Sequence, residues 1–257
     1  MKIGIDLGGT KTEAILIDNQ GNEIFRKRIE TEKNYQGTIN GIVSLIEEIE
    51  RKFNKVESIG IGMPGIVSKH TSLVKNANSI WMNGKPLKKD LIKYSKKNIK
   101  IENDANCFAL SEAVDGAGKN FDMVFGVIIG TGTGGGLVFD KKIHQGLNQI
   151  GGEWGHTSLP NRTDDEKKYA NECFCGLEGC METYVSGPGF AGIFNNMNKE
   201  NFNSHQIIEE FNQGKKRSVL AVKNYVNHLA RGLANVINIL DPDIIILGGG
   251  MSNIDYI

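Results

Sequence analysis

The sequence has no excess of charge of either sign. Its 30 lysines and arginines are balanced by 30 aspartates and glutamates, so the formal net charge at pH 7 is +0. Such a chain exerts no broad electrostatic attraction on nucleic acid or on an anionic membrane. The lysine-rich stretch 88–97 is most simply the solvated face of a surface helix. Neither nucleic acid nor a membrane is therefore expected as a partner.

The chain also lacks an apolar run long enough to cross a bilayer, which takes about 20 residues. It opens directly into a strand at Lys2, with no charged-then-apolar leader ahead of it. A cytoplasmic protein is therefore expected. The 257 residues, 39% of them hydrophobic, suffice for one large domain or two smaller ones.

Cysteine is scarce, with four residues in the chain, which speaks against a secreted protein built on disulfides. Three of the four nevertheless fall within the stretch 173–180. Cys107 lies apart from them in an apolar helical run and is interpreted as a core residue.

The clustered cysteines and an upstream histidine match the ligands of a tetrahedral structural zinc. Gly176 and Gly179 would let the loop turn tightly enough to bring the thiolates together. Disulfide partners are disfavoured by the odd number of cysteines in the cluster, and chance burial is disfavoured by their spacing. Carboxylates at Glu153 and Glu182 flank the cluster, which suits recognition of a small polyhydroxylated molecule. The predicted Zn²⁺ ligands are His156, Cys173, Cys175 and Cys180.

Hydrophobic periodicity predicts alternating strands and helices. Strands are expected over 3–7, 13–18, 23–29, 58–62 and 99–102, and helices over 39–49 and 104–114. A long helix should end before Asp241-Pro242. One face of that helix is predicted to consist of Val226, Leu229, Ala230, Leu233, Ala234, Ile237 and Leu240.

The strand–turn–strand pattern at 5–18 returns at 127–140 without a gap, and a weaker echo relates 59–65 to 244–250. This predicts an internal duplication, with two units facing each other across a cleft lined by both glycine turns. The glycine-rich stretch 116–120 is the best linker candidate. The predicted domains are therefore 1–117 and 118–257, with the cysteine cluster in the second.

Glycine is abundant, at 32 residues, and it is concentrated in three turns. Such turns offer backbone N–H groups to a phosphate, although a single one is weak evidence because many hairpins need glycine. Neither the dinucleotide fingerprint nor the Walker pattern is present, so a different nucleotide cradle is predicted. Asp6 could hold a hydrated Mg²⁺ and Lys11 could offset phosphate charge. The residues predicted to form this cradle are Gly8, Gly9, Thr10, Lys11, Gly130, Thr131, Gly132, Thr133, Gly134, Gly248, Gly249 and Gly250.

Asn103 and Asp104 begin a predicted helix. These residue types favour helix caps, which is one interpretation. In the other, Asp104 is the base that takes a proton from an attacking hydroxyl. The two interpretations are compatible, because a capped helix start would hold the carboxylate rigidly.

Taken together, the motifs resemble the ROK family of bacterial sugar kinases, sugar-responsive repressors and related open reading frames. The resemblance runs through the whole chain and keeps the family's motif order. It is carried by the segments 6–11, 102–106, 130–136, 152–156, 173–182 and 241–250.

The resemblance implies an α/β, actin/hexokinase-like (ribonuclease H-like) ATPase fold with two duplicated domains around a cleft. It also implies that ATP phosphorylates the 6-hydroxyl of a hexose, with Asp104 as catalytic base, with ATP phosphates and Mg²⁺ at Asp6 and the glycine turns, and with a homodimeric assembly. The implied sugar-binding residues are Gly65, Asn78, Asn103, Asp104, Glu153, His156 and Glu182.

Within the family, the segments 75–79, 81–84 and 111–117 look most like bacterial fructokinases, with N-acetylglucosamine kinases second and glucokinases as a further alternative. A sugar-sensing repressor is a non-enzyme alternative, but such relatives carry a helix-turn-helix ahead of the first strand. A non-sugar ATPase would leave the cysteine segment without a purpose. Family members continue past the third glycine turn with further helices, so weakened nucleotide binding is expected for a chain that stops at Ile257.

Overall fold

The structure is a computed structural model that describes residues 1–53 and 56–256. It contains two compact units, Met1–Cys107 and Phe108–Ile257. The division lies inside a helix, ten residues before the boundary predicted at 117/118, which stays a prediction. Ile257, the predicted end of the second domain, lies outside the described residues.

The first unit is a five-stranded mixed sheet with two helices. The sheet order is β3-β2-β1-β4-β7, in which β1, β2 and β3 are antiparallel and β4 and β7 run parallel to β1. A two-stranded sheet, β5-β6, and a short 3-10 helix, Ile80–Met82, lie between β4 and α2. The elements are β1 Lys2–Leu7, β2 Lys11–Ile17, β3 Glu23–Glu30, α1 Tyr35–Phe53, β4 Ser58–Met63, β5 Ile66–Val67, β6 Val74–Lys75, α2 Leu87–Ser95 and β7 Ile99–Asn103.

The sequence patterns account for this unit. In β1 the alternate residues Ile3, Ile5 and Leu7 are buried, as the period of a strand that packs on one face requires. In α1 the isoleucines at 39, 42, 46 and 49 are all buried, so the predicted helical face is confirmed. The lysine-rich segment forms α2, which buries Leu87 and Leu91 and leaves its lysines exposed, as expected.

The second unit is a four-stranded sheet with several helices. Its order is β10-β9-β8-β11, with β11 parallel to β8. Helix α3, Asp104–Val114, begins at the end of the first unit and continues into the second. Two 3-10 helices span Trp154–His156 and Gly250–Asn253. The other elements are β8 Met123–Ile129, β9 Thr133–Phe139, β10 Lys142–Ile143, α4 Asp164–Tyr169, α5 Glu182–Val185, α6 Gly187–Asn198, α7 Ser204–Asn212, α8 Lys216–Leu240 and β11 Ile244–Gly248.

The duplication predicted from the sequence is present. Hairpins β1–β2 and β8–β9 correspond, and a parallel strand, β4 or β11, lies beside the first strand of each. The hairpins differ in register, because Leu7 pairs with Thr12 whereas Ile129 pairs with Thr133. The second turn is therefore one residue shorter, a difference that the gapless sequence match conceals.

The predicted face of the long helix is partly wrong. Helix α8 buries Leu229, but it leaves Ala230 and Ala234 exposed and Ile237 45% exposed. The buried face is rotated because Gly232 lies where an added Cβ would be 2.2 Å from the Met181 side chain. The residues that α8 buries are Ser218, Val222, Tyr225, His228, Leu229 and Gly232.

The stretch 116–120, the predicted linker, is a packed turn inside the second unit, and the domain boundary there stays a prediction. The Gly118 N–H donates to the Glu112 carbonyl at 2.9 Å. The Lys141 ammonium donates to the carbonyls of Gly118, Lys119 and Phe121 at 3.3, 2.9 and 2.8 Å. The stretch is therefore fixed to β9 and β10 by directed hydrogen bonds.

Within residues 1–53 and 56–256, no helix combines the length and apolar character that crossing a membrane requires.

Candidate functional site

The four predicted metal ligands come together in the second unit. One ligand atom from each of His156, Cys173, Cys175 and Cys180 lies within 4.8 Å of all the others. The Cys173 Sγ is 3.5 Å from the His156 Nδ1, and the Cys175 and Cys180 sulfurs are 3.6 Å apart. Tetrahedral zinc with three sulfurs and one nitrogen has ligand separations of about 3.5–3.8 Å. The cluster could therefore hold a metal ion of this kind with little movement.

Local backbone pairing builds the cluster. The Met181 N–H donates to the Thr157 carbonyl at 2.8 Å and the Leu159 N–H donates to the Gly179 carbonyl at 2.9 Å. This short antiparallel pairing sets Cys180 beside His156. Gly176 and Gly179 have φ values of +84° and +78°, so both predicted tight turns are present and both favour glycine.

The three thiols of the cluster differ in the direction in which their pKa is shifted. Burial raises the pKa of the Cys180 thiol to about 12 and also raises the pKa of Cys173. The exposed Cys175 has a lowered pKa, chiefly because the Leu177 N–H donates a hydrogen bond to its sulfur. A cation bound among these sulfurs would offset the cost of the buried thiolates.

The second glycine turn, residues 130–132, joins β8 to β9 next to this cluster. The Gly130 N–H donates to the Gly132 carbonyl at 2.9 Å, which leaves Thr131 at the tip. The Thr133 N–H donates to the Glu182 Oε2 at 2.9 Å. The Thr133 hydroxyl is buried and has no hydrogen-bond partner in the part of the chain that the structure describes. An unpaired buried hydroxyl at the end of a glycine turn fits a site that takes an oxygen-rich ligand.

The segment ahead of His156 packs directly on β9. The Trp154 indole N–H donates to the Gly134 carbonyl at 2.9 Å. A Cβ at Gly155 would lie 2.1 Å from the Thr133 carbonyl oxygen, and one at Gly152 would lie 2.4 Å from that of Gly135. Glycine is therefore required at 152 and 155 by this close approach. Glu153 lies between them, exposed, just before the 3-10 helix.

A cavity of about 760 Å³ in the second unit joins two of the predicted nucleotide segments. Gly130 and Thr131 line it together with Gly250. Gly249 has a φ of +89° and packs against the end of β8, where an added Cβ would be 2.6 Å from the Ile129 carbonyl oxygen. Sequence analysis did not find the rest of the lining, which includes Ser204, His205, Ile208, Phe211, Asp255 and Tyr256.

The first glycine turn, residues 8–11, has its own supports in the first unit. The Gly8 N–H donates to the Lys11 carbonyl at 3.0 Å, so Gly9 and Thr10 form the tip. The Thr31 hydroxyl donates to the Gly8 carbonyl at 2.9 Å and lies 2.7 Å from the Thr12 hydroxyl. This buried pair fixes the turn to the end of β3.

Asp6 and Asp104 influence each other in the first unit. Burial raises the pKa of Asp6, and the negative charges of Asp104 and Glu13 raise it further. Burial also raises the pKa of Asp104. Two neighbouring carboxylates, Asp6 just before the glycine turn and Asp104 at the start of α3, suit a divalent cation, which would remove the repulsion between them.

The cap at the start of α3 belongs to Asn103. Its Oδ1 accepts from the Asn106 N–H at 3.2 Å, and its amide donates to the Gly65 carbonyl at 3.3 Å. The Asp104 Oδ1 accepts from the adjacent Ala105 N–H at 2.9 Å. Asp104 therefore sits in the first turn of a helix that Asn103 caps, where the N-terminal dipole favours its ionised form.

Gly65 and Asn78 border the same region of the first unit. Gly65 has a φ of +77°, and a Cβ there would be 2.5 Å from the Lys75 carbonyl oxygen, so any other residue would push this wall apart. Asn78 is exposed, and its Oδ1 would be 3.8 Å from a Cβ at Gly9. Asn78 thus lies next to the first glycine turn.

A buried polar cluster in the second unit was not predicted. The His228 Nε2 is 2.9 Å from the Glu166 Oε1, and Arg231 donates to the Glu166 Oε2 at 3.0 Å. The capping box Thr163–Glu166 is visible in the sequence, but its link to α8 spans 62 residues and leaves no local signal.

Comparison with known proteins agrees with the mixed α/β fold of two duplicated sheets. The chain matches the ROK hexokinase of Thermus thermophilus with a TM-score of 0.84 and 26% identity, covering 97% of this chain and 82% of that structure. It matches a ROK glucokinase of Streptomyces griseus, solved with glucose and AMPPNP, with a TM-score of 0.79 and 29% identity, covering 98% and 84%. The predicted actin/hexokinase-like ATPase fold is confirmed.

Sequence comparison identifies the family of the chain. The model of the ROK family matches residues 2–257, and the chain belongs to that family. It is 38% identical to an N-acetyl-D-glucosamine kinase of Mannheimia succiniciproducens, covering 100% of this chain and 86% of the relative. The family prediction is thus confirmed, whereas the order that put fructokinase first is not supported.

Proposed function

We propose that this protein is an ATP-dependent sugar kinase that phosphorylates the 6-hydroxyl of N-acetyl-D-glucosamine. The observation that supports it most is the identity of 36–38% to N-acetyl-D-glucosamine kinases, which extends over 100% of this chain for the first of them. Fructose, which the sequence segments 75–79, 81–84 and 111–117 favoured, has no comparable support. It is kept as a competitor in the assay.

In the proposed reaction Asp104 is the catalytic base. The sugar 6-hydroxyl oxygen bonds to the γ-phosphorus, the bond from that phosphorus to the β–γ bridging oxygen breaks, and the hydroxyl proton passes to the Asp104 carboxylate. Burial supports this role, because it raises the pKa of Asp104 and so strengthens the carboxylate as a base. Phosphoryl transfer depends mainly on positioning and charge neutralisation, so a moderate base suffices.

The glycine turns are proposed to hold the nucleotide through backbone N–H groups. In the second unit, Gly130, Thr131 and Gly250 line the 760 Å³ cavity, which is large enough for a nucleoside. In the first unit, Asp6 lies ahead of the turn at 8–11, beside Asp104 and Glu13. Asp6 would hold Mg²⁺, which supplies charge neutralisation to the phosphates when it is bound.

The cysteine cluster is proposed to be a structural zinc site that fixes a sugar-binding surface. With its Nδ1 beside the Cys173 sulfur, the His156 imidazole is held in one orientation and its other nitrogen is available to a hydroxyl. Glu153 and Glu182 flank it in the sequence. For Asn103, Gly65 and Asn78, in the first unit, a sugar-binding role is proposed from the family resemblance alone. Bound zinc would supply stability to a loop that has few apolar residues of its own.

A substrate panel tests the proposal. The full chain would be assayed for ADP release with N-acetyl-D-glucosamine, glucose, mannose and fructose in the presence of ATP and Mg²⁺. We expect kcat/KM for N-acetyl-D-glucosamine to exceed that for each other sugar by about tenfold or more, as a few lost polar contacts would produce. A preference for fructose would contradict the assignment, and the absence of any sugar-dependent ADP release would contradict the kinase itself.

We further propose a homodimer. Light scattering on the purified chain would test it, and a molecular mass matching 28.2 kDa, that of one chain, would contradict it.

A further inference from the structure

We propose that the metal centre positions the second glycine turn, and that Glu182 and Gly155 are the two positioning residues that connect them. The inference rests on the proposed function only in taking that turn as a nucleotide-binding element. It assigns to the cysteine segment a part in holding ATP, beyond its proposed part in holding the sugar.

The first connection runs through Glu182. This residue follows Cys180 by two positions and opens α5. Its Oε2 accepts from the Thr133 N–H at 2.9 Å and would be 3.0 Å from a Cβ at Gly132. A charge-assisted hydrogen bond to a backbone N–H is roughly twice as strong as a neutral one, so this contact determines where β9 starts.

The second connection runs through the residue before His156. Gly155 lies so close to the Thr133 carbonyl that a Cβ would be 2.1 Å from its oxygen. Trp154 is 4% exposed and donates its indole N–H to the following carbonyl, that of Gly134, at 2.9 Å. The 3-10 helix that carries His156 therefore rests on the backbone that emerges from the turn.

Both connections end on Thr133, from its N–H side and from its carbonyl side. One metal ligand, His156, is adjacent to Gly155, and another, Cys180, is two residues from Glu182. These two ligands are also joined directly, since the Cys180 Sγ lies 3.7 Å from the His156 carbonyl oxygen. A metal held by the cluster would fix the distance between the two contacts, and Thr133 lies between them.

Loss of the metal should therefore increase the mobility of the turn while the second unit is still folded. The sheet on the other side of the turn has hydrogen bonds that do not involve the cluster, because β8 pairs with β11 and with the whole length of β9. The effect should consequently be local to residues 128–137.

Hydrogen exchange measured by mass spectrometry tests the connection without any substrate. Peptides covering 128–137 would be followed in zinc-loaded wild type, in chelator-treated wild type, and in the variants Glu182→Ala and Glu182→Gln. We expect at least tenfold faster exchange of these amides after chelation and in Glu182→Ala. Glu182→Gln keeps a neutral acceptor oxygen for the Thr133 N–H, so its exchange should be accelerated much less than that of Glu182→Ala.

Peptides from α1, in the first unit, are the internal control for folding. If Glu182→Ala exchanges rapidly everywhere, the comparison of loaded and chelated wild type decides the matter. Unchanged exchange at 128–137 after verified loss of zinc would overturn the proposal, and so would equal acceleration in both variants.

Binding of AMPPNP with Mg²⁺, measured by calorimetry, tests the consequence. We expect the Kd to rise about tenfold in Glu182→Ala and after chelation, and to rise less in Glu182→Gln, which replaces the charged hydrogen bond with a neutral one. KM for the sugar should rise in both variants, because either change removes the carboxylate from the proposed sugar site.

The two readouts separate this inference from the proposed function. A wild-type protein that binds AMPPNP and responds to chelation, yet phosphorylates no sugar, would contradict the kinase and support the connection. An active sugar kinase whose AMPPNP affinity and hydrogen exchange at 128–137 do not change on loss of zinc would support the kinase and contradict the connection.

Discussion

The two glycine hairpins of this protein have the same place in their sheets and nearly the same sequence pattern, but they are held by different means. The first turn, at 8–11, is fixed by a threonine pair, Thr12 and Thr31, whose hydroxyls are 2.7 Å apart. The second, at 130–132, is fixed by Glu182 and by the close approach of Gly155. The first turn is thus supported from the end of β3, whereas the second is supported from the segments next to the His/Cys cluster.

The difference shows how a duplicated unit can take on separate duties. The first hairpin carries acidic groups, with Asp6 on its first strand near Asp104. The second carries an unpaired hydroxyl, Thr133, and opens onto a large cavity. In the proposed kinase the first copy thus serves proton transfer and the cation, and the second serves the nucleotide.

The largest expected effect concerns the acidic group of the first unit. Asp104→Asn should lower kcat by about 10²–10⁴-fold, the usual contribution of a general base, while Kd for the sugar changes little. Coupled measurement of ADP release gives kcat, and calorimetry gives the Kd. Asp115→Asn, an exposed aspartate just after α3, is the control and should behave like wild type. Turnover kept in Asp104→Asn would remove the base from the proposed mechanism.

The next effect separates the cysteines of the two units. Cys175→Ser should reduce zinc content from about one ion per chain to a small fraction, because it removes one of four ligands. Cys107→Ser should retain the metal, since Cys107 lies outside the cluster. Elemental analysis of the purified variants measures both. Equal zinc in the two variants would contradict the metal assignment.

A pair of threonine variants compares the supports directly. Thr31→Val should lower the free energy of unfolding by about 1–3 kcal/mol, because it leaves the Gly8 carbonyl and the Thr12 hydroxyl without their buried partner. Thr133→Val should leave that free energy unchanged or raise it slightly, since its hydroxyl has no partner to lose among the described residues. Urea denaturation measures both.

For the KM for ATP, the order of the two variants should be the reverse of their order in stability. Thr133→Val should raise KM for ATP if the hydroxyl contacts the nucleotide, as proposed. A Thr133→Val variant that loses as much stability as Thr31→Val would show that the two hairpins are supported alike.

The smallest expected effect is a pH dependence of stability that arises in the second unit. Burial lowers the pKa of His228 from its ordinary 6.5, so the unfolded chain takes up this proton first. The contribution is fully present above about pH 6.5 and is lost as pH falls below it, at about 1.4 kcal/mol per unit of pKa difference. His228→Gln should flatten this slope in urea titrations at pH 7 and pH 5.5, whereas His70→Gln, at an exposed site, should not.

The pKa of Glu166, beside this histidine, is shifted in the opposite direction to those of Asp6 and Asp104 in the first unit. Burial raises the pKa of Glu166, but hydrogen bonds and charges from Arg231, Thr163 and His228 outweigh it, so its contribution is lost only below about pH 4.5. The raised pKa values of Asp6 and Asp104 act the other way, and acid favours their folded form. A slope centred below pH 5 in wild type would point to Glu166 rather than to His228.

Sequence alone predicted the features whose signal is local. The strands and turns at 3–17 and 127–139 follow from alternation and glycine, and the clustering of one histidine with three cysteines follows from their spacing and chemistry. The features that it missed depend on distant contacts. The buried face of α8 is set by Gly232 against Met181, and the register of the second hairpin is set by a turn one residue shorter.

The candidate site shows the same limit. The glycine turns were identifiable, but most of the cavity lining comes from α7 and from residues after β11. Those residues carry no motif, because any apolar and polar mixture of the right shape lines a cavity. The supports of the turns were equally invisible, since Thr31 lies 23 residues from Gly8 and Glu182 lies 49 from Thr133.

The lysine that fastens the stretch 116–120 has a practical consequence for anyone who wants to divide this protein. A glycine-rich segment invites insertion of a reporter or a split point, but here one ammonium, that of Lys141, secures three carbonyls of it. Cutting the chain there would leave the Lys141 ammonium and these carbonyls without their hydrogen-bond partners. The hairpin tip around Gly21, exposed and with open space where a side chain would project, is the more tolerant position for such engineering.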